Sequence, residues 1–338
     1  MRFAERRAIA AMALGALGAG LTSCSSDGSP PNGTTRPPIA SASPTATALP
    51  YHPFNGGSEG LDNPVLAVKI ENTRPALPQS GVRAADIVYV EQVEGGETRL
   101  MAIYSSALPR TVGPVRSARV SDLEILRQYG RPAFAFSGVN PAFKRQIRRA
   151  PIHEISQETA GSVYFRSSAR RIPYNLYADP RELLKKAPRA DRPRDIGFRF
   201  GPAPPGGRPT ASFTARWPSA TMGFTWSAAQ RRWLTTHGGR TNVAAEGGVI
   251  GPRTVVVQYT KTTRSRYRDV NGAYTPVIHT VGGGRALVLR DGKSYEARWS
   301  RPAADQGTTF TTADGRPMTF APGQVWVVFL NEDGPTIP

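Results

Sequence analysis

The sequence predicts an α/β or α+β domain followed by a mainly-β domain built as a small barrel or sandwich. Three observations predict it. Between residues 59 and 200, strand-like apolar runs alternate with segments that carry helix caps. Residues 197–209, Gly-Phe-Arg-Phe-Gly-Pro-Ala-Pro-Pro-Gly-Gly-Arg-Pro, then interrupt every periodic pattern. Beyond them helical periodicity largely disappears, and short strand-like runs recur between hairpin-type turns over 209–338.

The chain opens on a basic start, Arg2, Arg6 and Arg7, and an apolar run over 8–21 that ends Leu21-Thr22-Ser23-Cys24. The run is too short and too rich in Ala and Gly for a good membrane span, which takes about 20 apolar residues. It has the length of a signal-peptide core. The single cysteine, Cys24, stands behind two small residues, as in the bacterial lipobox, where the thiol is acylated and becomes the first mature residue. Residues 1–24 are therefore expected to be a lipoprotein signal peptide. Cys24 is the expected lipidation site, carrying a palmitate-type anchor that holds the protein on the extracytoplasmic face of the cell membrane. Arg6-Arg7 leaves both the general secretory and the twin-arginine routes open. Residues 25–58 hold seven prolines among Ser, Thr, Ala and Gly with no apolar period. They predict a disordered tether, reaching about 30–35 Å as a flexible chain.

Residues 65–70 predict a buried strand. Residues 86–93 and 98–105 predict hairpin partners across Glu94-Gly95-Gly96-Glu97. Ser121-Asp122-Leu123-Glu124 matches a capping box, with Ser121 at the N-cap and Glu124 at the third helical position. The helix it opens is expected to run to Tyr129 and stop at Gly130. A short strand is expected over 133–136. Pro141 opens a second helix to about Arg149, and Asp179-Pro180 caps a third over 181–187. In the second domain, strands are expected at about 212–217, 223–226, 232–236, 254–259, 276–281, 286–290, 294–299 and 324–329. Asn271-Gly272, Asp291-Gly292 and Asp314-Gly315 supply turns between several of them.

One cysteine rules out an internal disulfide and any Cys-based zinc site, and the four histidines show no ligand spacing. Walker A and G-x-S-x-G motifs are absent. No metal or cofactor is called for. The formal net charge is +18, but it is spread along the chain rather than gathered on one element, which argues against nucleic-acid binding. It suits a general attraction to anionic surfaces.

Several runs carry a family resemblance. They are Arg74-Pro75-Ala76-Leu77-Pro78-Gln79-Ser80-Gly81, Ala85-Asp86-Ile87-Val88-Tyr89 and Val93-Glu94-Gly95-Gly96-Glu97-Thr98-Arg99. Gly113-Pro114-Val115-Arg116-Ser117-Ala118-Arg119 follows, and later Gly282-Gly283-Gly284, Asp291-Gly292-Lys293 and Pro322-Gly323-Gln324-Val325-Trp326. Together, over roughly residues 60–330, they resemble the YerB-type lipoproteins, a bacterial two-domain family of unknown function. The chain departs from that pattern at Tyr174, where the family has His, and at Val90, where the family has Glu. The resemblance implies a two-domain extracytoplasmic lipoprotein and implies no chemistry.

The candidate site is a polar set around the expected hairpin and the next helix. Arg99, Arg116, Ser117 and Arg119 form a candidate anion site, since Arg116 and Arg119 lie three apart and guanidinium forks suit phosphate or carboxylate. Backbone amides at the helix start would add to it. Asp86, Glu91, Glu94 and Asn175 are candidate polar partners. Alternatively, the same arginines pair with Glu91, Glu94 and Asp86 and clamp the helix to the sheet. Two functions stay open. One is a non-catalytic envelope protein that binds an anionic wall component or a protein partner. The other is an envelope enzyme acting on phosphate-containing wall or lipid-linked intermediates, since the element order is similar to that of the LytR–CpsA–Psr phosphotransferases. Catalytic residues are not assignable.

Overall fold

A computed structural model describes residues 50–335 of the chain. The signal peptide, Cys24 and residues 25–49 of the expected tether lie outside the described residues. In the N-terminal half the elements are β1 (Leu66–Glu71), β2 (Ile87–Gln92), β3 (Thr98–Tyr104), α1 (Val120–Leu126), β4 (Ala133–Phe136), α2 (Lys144–Arg149), β5 (His153–Ser156), β6 (Tyr164–Arg166), β7 (Leu176–Ala178) and α3 (Pro180–Lys185). The C-terminal half adds β8 (Arg208–Pro209), β9 (Ser212–Arg216), β10 (Thr221–Ser227), β11 (Arg232–His237), β12 (Arg240–Thr241), β13 (Thr254–Thr260) and β14 (Thr262–Arg268). It closes with β15 (Tyr274–Ile278), β16 (Gly282–Arg290), β17 (Lys293–Arg301), β18 (Thr309–Thr312) and β19 (Val325–Asn331).

The two halves share one sheet. Its order is β18-β17-β16-β13-β19-β2-β3-β1-β4-β5, with β8 beside β17. The last strand, β19, lies between β13 and β2 and runs parallel to both, with Val325 opposite Ile87 and Val328 opposite Val90. The C-terminal strands therefore do not close into a barrel. Instead β9–β12 form a separate four-stranded sheet, whose Ala215, Met222, Phe224 and Trp233 pack with Val255, Val257, Trp326 and Val328 of the shared sheet. That face-to-face packing is the sandwich alternative.

Period-two alternation sorts the strand residues onto two faces. Leu66, Val68, Val88, Val90, Leu100 and Ala102 line the first face, with β9–β12, β7 and α3 over it. Ala67, Ile87, Tyr89, Met101 and Ile103 line the second, beneath Ile125 and Tyr129 near α1 and Phe143 and Ile147 near α2. The first helix differs from its predicted cap. Arg119 is the N-cap, and the Asp122 side chain accepts from its N–H. Ser121 Oγ instead accepts from Ile278 N at 2.9 Å, and Glu124 accepts from Thr280 N at 2.7 Å. Tertiary partners at and just beyond the end of β15 have taken the groups that a local cap would use. Gly130, with φ +76°, ends the segment as expected.

The tether was expected to extend to residue 58, yet its end is folded. His52 and Phe54 are fully buried, and the Phe54 ring meets Tyr129 edge-on at 5.2 Å. Asp291 and Gly292, with φ of 50° and 73°, make the two-residue turn between β16 and β17, where Asp-Gly favours positive φ at both positions.

Trp326 on β19 is fully buried and meets Phe224 at 6.1 Å across the two sheets. Trp326→Ala should cost about 3–5 kcal/mol, and calorimetry should still show one transition that carries both halves. Limited proteolysis near the midpoint should then cut on both sides of residues 197–209. Loss confined to residues after 209 would contradict a shared sheet.

Candidate functional site

Along β1, β2 and β3 the second face turns from apolar to charged toward one end of the sheet. Lys69 and Glu71 on β1, Glu91 on β2 and Arg99 on β3 all point to that face, because each lies an even number of residues from Ala67, Ile87 or Met101. Register brings them side by side, with Arg99 opposite Glu71 on one neighbour and Glu91 on the other.

Two charge clusters result. The inner one is dry. Lys69 Nζ lies 2.7 Å from Glu91 and 2.6 Å from Asp122 of α1, and all three side chains are almost wholly buried. Two carboxylates against one ammonium leave one negative charge too many. Burial, with the Asp122 charge beside it, pushes the Glu91 carboxyl up to about 8, against the opposing pull of Lys69. At neutral pH Glu91 therefore carries mostly a proton, and the trio is close to neutral, as a buried cluster must be to avoid a large desolvation penalty.

The outer cluster opens on a cleft of about 580 Å³. Glu71 receives Arg116 Nε at 2.7 Å and has Arg99 Nε at 3.5 Å. Glu94 lies 2.7 Å from Arg119 Nε and accepts from Thr275 Oγ1 of β15. Burial alone would raise both carboxyls, but the arginines outweigh it and hold Glu71 and Glu94 below the usual carboxylate range. Glu97 differs. Burial raises its carboxyl, and the Glu71 charge adds to the rise.

The carboxylates sit deep and the guanidiniums stand over them. Side-chain exposure is 3% for Glu71 and 6% for Glu94, against 25% for Arg116 and 15% for Arg119. Each acid grips an Nε edge; Arg119 Nη1 donates to Ala118 O at 2.9 Å, while the terminal nitrogens of Arg116 make no hydrogen bond among the described residues. Arg99 donates from one terminal nitrogen to Ser117 O at 3.1 Å, and its buried Nε has no hydrogen-bond partner. The cleft's other wall is Gly138, Asn140 and the β14–β15 tip with Arg268, and Asn140 Nδ2 ties that tip down through Arg268 O at 2.7 Å.

The sequence-predicted residues thus divide. Arg99, Arg116, Ser117, Arg119 and Glu94 line the cleft together. Asp86 does not. It lies just before β2, about 25 Å along the strand direction from Glu94 by strand rise, and accepts from Asn55 Nδ2 and from Ser105 N and Ser106 N. Glu91 is buried beside Lys69, and Asn175 is taken up by Arg166 and Ser167 O. The backbone amides proposed for an anion are also spent: Arg116 N goes to Lys69 O, Ala118 N to Gly138 O, and Arg119 N to Asp122. Sequence reading missed Glu71, Lys69 and Asp122. A charged pair inside the otherwise apolar run 65–71 was the available signal.

The cleft's position in the sheet supports a binding role. β1, β2, β4, β5, β13 and β19 all run the same way, since β1 and β2 are each antiparallel to β3 and the others pair in parallel. Glu71 closes β1 at its carboxyl end, and Glu94 and Gly138 follow the carboxyl ends of β2 and β4. Ligands of open α/β sheets settle in the crevice outside those ends.

Comparison with known proteins bears on both halves of the chain. Residues 55–193 match the N-terminal domain, and residues 213–327 the C-terminal domain, of the family described as "Protein of unknown function (DUF3048)". The chain is 25% identical over 274 residues to "Putative lipoprotein YerB" of Bacillus subtilis (strain 168), covering 78% of this chain and 80% of that protein. The crystal structure of the YerB protein from Bacillus subtilis superposes with a TM-score of 0.70 at 22% identity, over 83% of this chain and 96% of that one. The likeness in structure extends to the fold.

The buried trio makes stability depend on pH. Glu91 is raised in the folded state from an ordinary value of 4.5 to about 8, so the folded chain binds the extra proton in that window. Its contribution is fully present below about pH 4.5 and is lost as pH rises through 8, by at most about 1.4 kcal/mol per pH unit. Glu91→Gln keeps the shape and removes the titration. Relative to the variant, the unmodified protein should lose stability steadily from pH 5.5 to 8 in denaturant unfolding. A difference between the two that stays constant with pH would refute a protonated Glu91.

Proposed function

The chain belongs to the DUF3048 family of lipoprotein-like two-domain proteins, and from that premise we propose that it is an envelope lipoprotein, anchored through Cys24, whose arginine cleft holds an anionic wall component. The carrying observation is the arrangement of Arg99, Arg116 and Arg119 over Glu71 and Glu94. The buried acids fix the guanidiniums in place at the edge of an open cavity, and the terminal nitrogens of Arg116 are unbonded among the described residues. Clamp and binding site are thus the same device. Preorganised guanidinium forks are what phosphate and carboxylate groups pair with in two-point fashion.

An extended ligand fits better than a single small anion. From the rim, β14 carries exposed Arg264, Arg266 and Arg268, and α2 carries exposed Arg145, Arg148 and Arg149. Tyr267 joins the two elements, meeting Phe143 at 5.5 Å. None of these six arginines has a carboxylate within ion-pairing distance among the described residues. Arg264 and Arg268 both lie over the Tyr274 ring, at 5.2 and 3.7 Å from its centroid. A polymer with repeating negative charge would neutralise them in series. The membrane-anchoring part of the reading rests on the lipobox and the relative's name; no described helix is long and apolar enough to cross a membrane.

Two outcomes test this reading. Arg116→Ala should weaken binding of linear polyphosphate at least tenfold in isothermal titration, and binding to the unmodified protein should fall steeply with added salt. The melt of the variant should drop only a few degrees, because Glu71 keeps Arg99 and the N–H groups of Asn72 and Thr73. A drop on the order of 10 °C, at about 2–4 °C per kcal/mol, would make Arg116 a structural clamp alone. Separately, Cys24→Ala should move the protein from the membrane fraction to the unprocessed or secreted pool, and an unchanged distribution would reject lipidation there.

A further inference from the structure

A second cavity, of about 790 Å³, lies apart from the arginine cleft. It lies toward the opposite end of the sheet, where residues 80–84 lead into β2 and residues 109–111 follow β3. Both halves of the chain build it. The β6–β7 hairpin gives an aromatic shelf, and Glu246 comes from the turn beyond β12.

The floor is rigid. Gly81 has φ +82°, and a Cβ there would meet Thr111 O at 2.6 Å and Pro109 at 3.0 Å, so only glycine lets the two loops approach. Glu246 Oε2 accepts from Gly81 N at 3.2 Å, which ties the C-terminal half to that floor. Arg170 is fixed as firmly, donating to Ala76 O, to Pro78 O at 2.6 Å and to Tyr177 Oη at 3.0 Å.

Two features of this pocket have no structural use. Phe165 stacks on Tyr177 at 6.0 Å with 26° between the planes, yet 49% of it is exposed. Burying it would gain more than that stack does, so its free face is available to a ligand. Arg110, exposed on the facing loop, has neither a hydrogen bond nor an ion pair among the described residues. Cations exceed acids in the lining, with Arg83, Arg110 and Arg170 against Glu246. Ser80, Thr111 and Ser167 add hydroxyl-bearing side chains to the lining.

We propose that this pocket binds an acidic sugar, a pyranose ring lying on Phe165 with its carboxylate on Arg110. A ring with an apolar C–H face and hydroxyl edges satisfies the shelf and the hydroxyls together, and the free guanidinium supplies the counter-charge. A simple inorganic anion would leave the aromatic shelf unused. A neutral glycan would leave Arg110 unpaired. The site is separate from the arginine cleft and does not depend on its ligand.

The test uses the soluble chain from residue 25 onward and three probes: a hyaluronan tetrasaccharide, chitotetraose without charge, and glutarate without a ring. Titration calorimetry should show the hyaluronan tetrasaccharide binding at least tenfold more tightly than either control. Phe165→Ala and Arg110→Ala, both exposed positions, should each weaken it about tenfold or more with little change in melting temperature. Arg116→Gln, in the distant cleft, should leave it unaltered. Equal binding of chitotetraose or of glutarate, no binding of the tetrasaccharide at millimolar concentration, or indifference to both pocket variants would overturn the proposal. A loss with Arg116→Gln equal to that with Arg110→Ala would place the sugar in the cleft instead and would likewise overturn it.

Discussion

The parallel pairing of β19 with β2 is the constraint on which the rest of this structure depends. A strand from the end of the chain sits between β2 of the N-terminal half and β13 of the C-terminal half. Backbone groups in the middle of a sheet must find partners, so neither half has a complete set of pairings alone. The same insertion brings β15 over α1, where Ile278 N and Thr280 N are accepted by Ser121 and Glu124. It also places Thr275 on Glu94 and Arg268 across the cleft from Arg116. The cleft is therefore a product of the shared sheet rather than of either half.

Beneath α1 the sheet must carry charge without water. It does so with two different devices a few residues apart. In the inner trio, the excess negative charge is removed by a proton on Glu91, because a shared ammonium at 2.7 Å does not repay the desolvation of two carboxylates. In the outer cluster, arginines outnumber the buried acids, and Glu71 and Glu94 stay ionised. The same burial acts on Arg99, whose guanidinium is pushed down to about 10 by desolvation and by its neighbour Arg119. What distinguishes the two clusters is access to solvent, which the arginine tips have and Lys69 lacks. A cluster that keeps its charges next to an open cavity is equipped to meet an external anion. One that neutralises itself in the interior holds the helix to the sheet.

Alternation and turn chemistry made much of the fold legible. The buried strand of β1, the β2–β3 hairpin, the helix stop at Gly130, the Asp179 cap and the Asp291-Gly292 turn all follow from local rules, and all are present. β14 was not legible, because exposed Arg264, Arg266 and Arg268 alternate with half-buried Ser265 and a single buried aromatic, Tyr267, so it lacks a continuous apolar face. Its strand form is maintained by pairing with β15 and by Tyr267 against α2. The helix cap was misplaced by two residues for a related reason. Ser121 and Glu124 have the right types for a local box, but long-range donors reached them first.

The sequence by itself determined the lipobox-like pattern at Cys24, the family, most of the helices and longer strands, and several of the residues from which a site could be built. Those are local properties, carried by composition, period and motif within a few residues of each other. Tertiary structure alone decided which charges meet. Glu91 and Asp122 reach Lys69 from 22 and 53 positions away, and Glu71, not Asp86 or Glu91, became the partner of Arg116. Strand register sets such pairings, and a shift of one residue would turn every side chain to the opposite face. That register is fixed by burial summed over the whole sheet, which no local stretch of the chain contains.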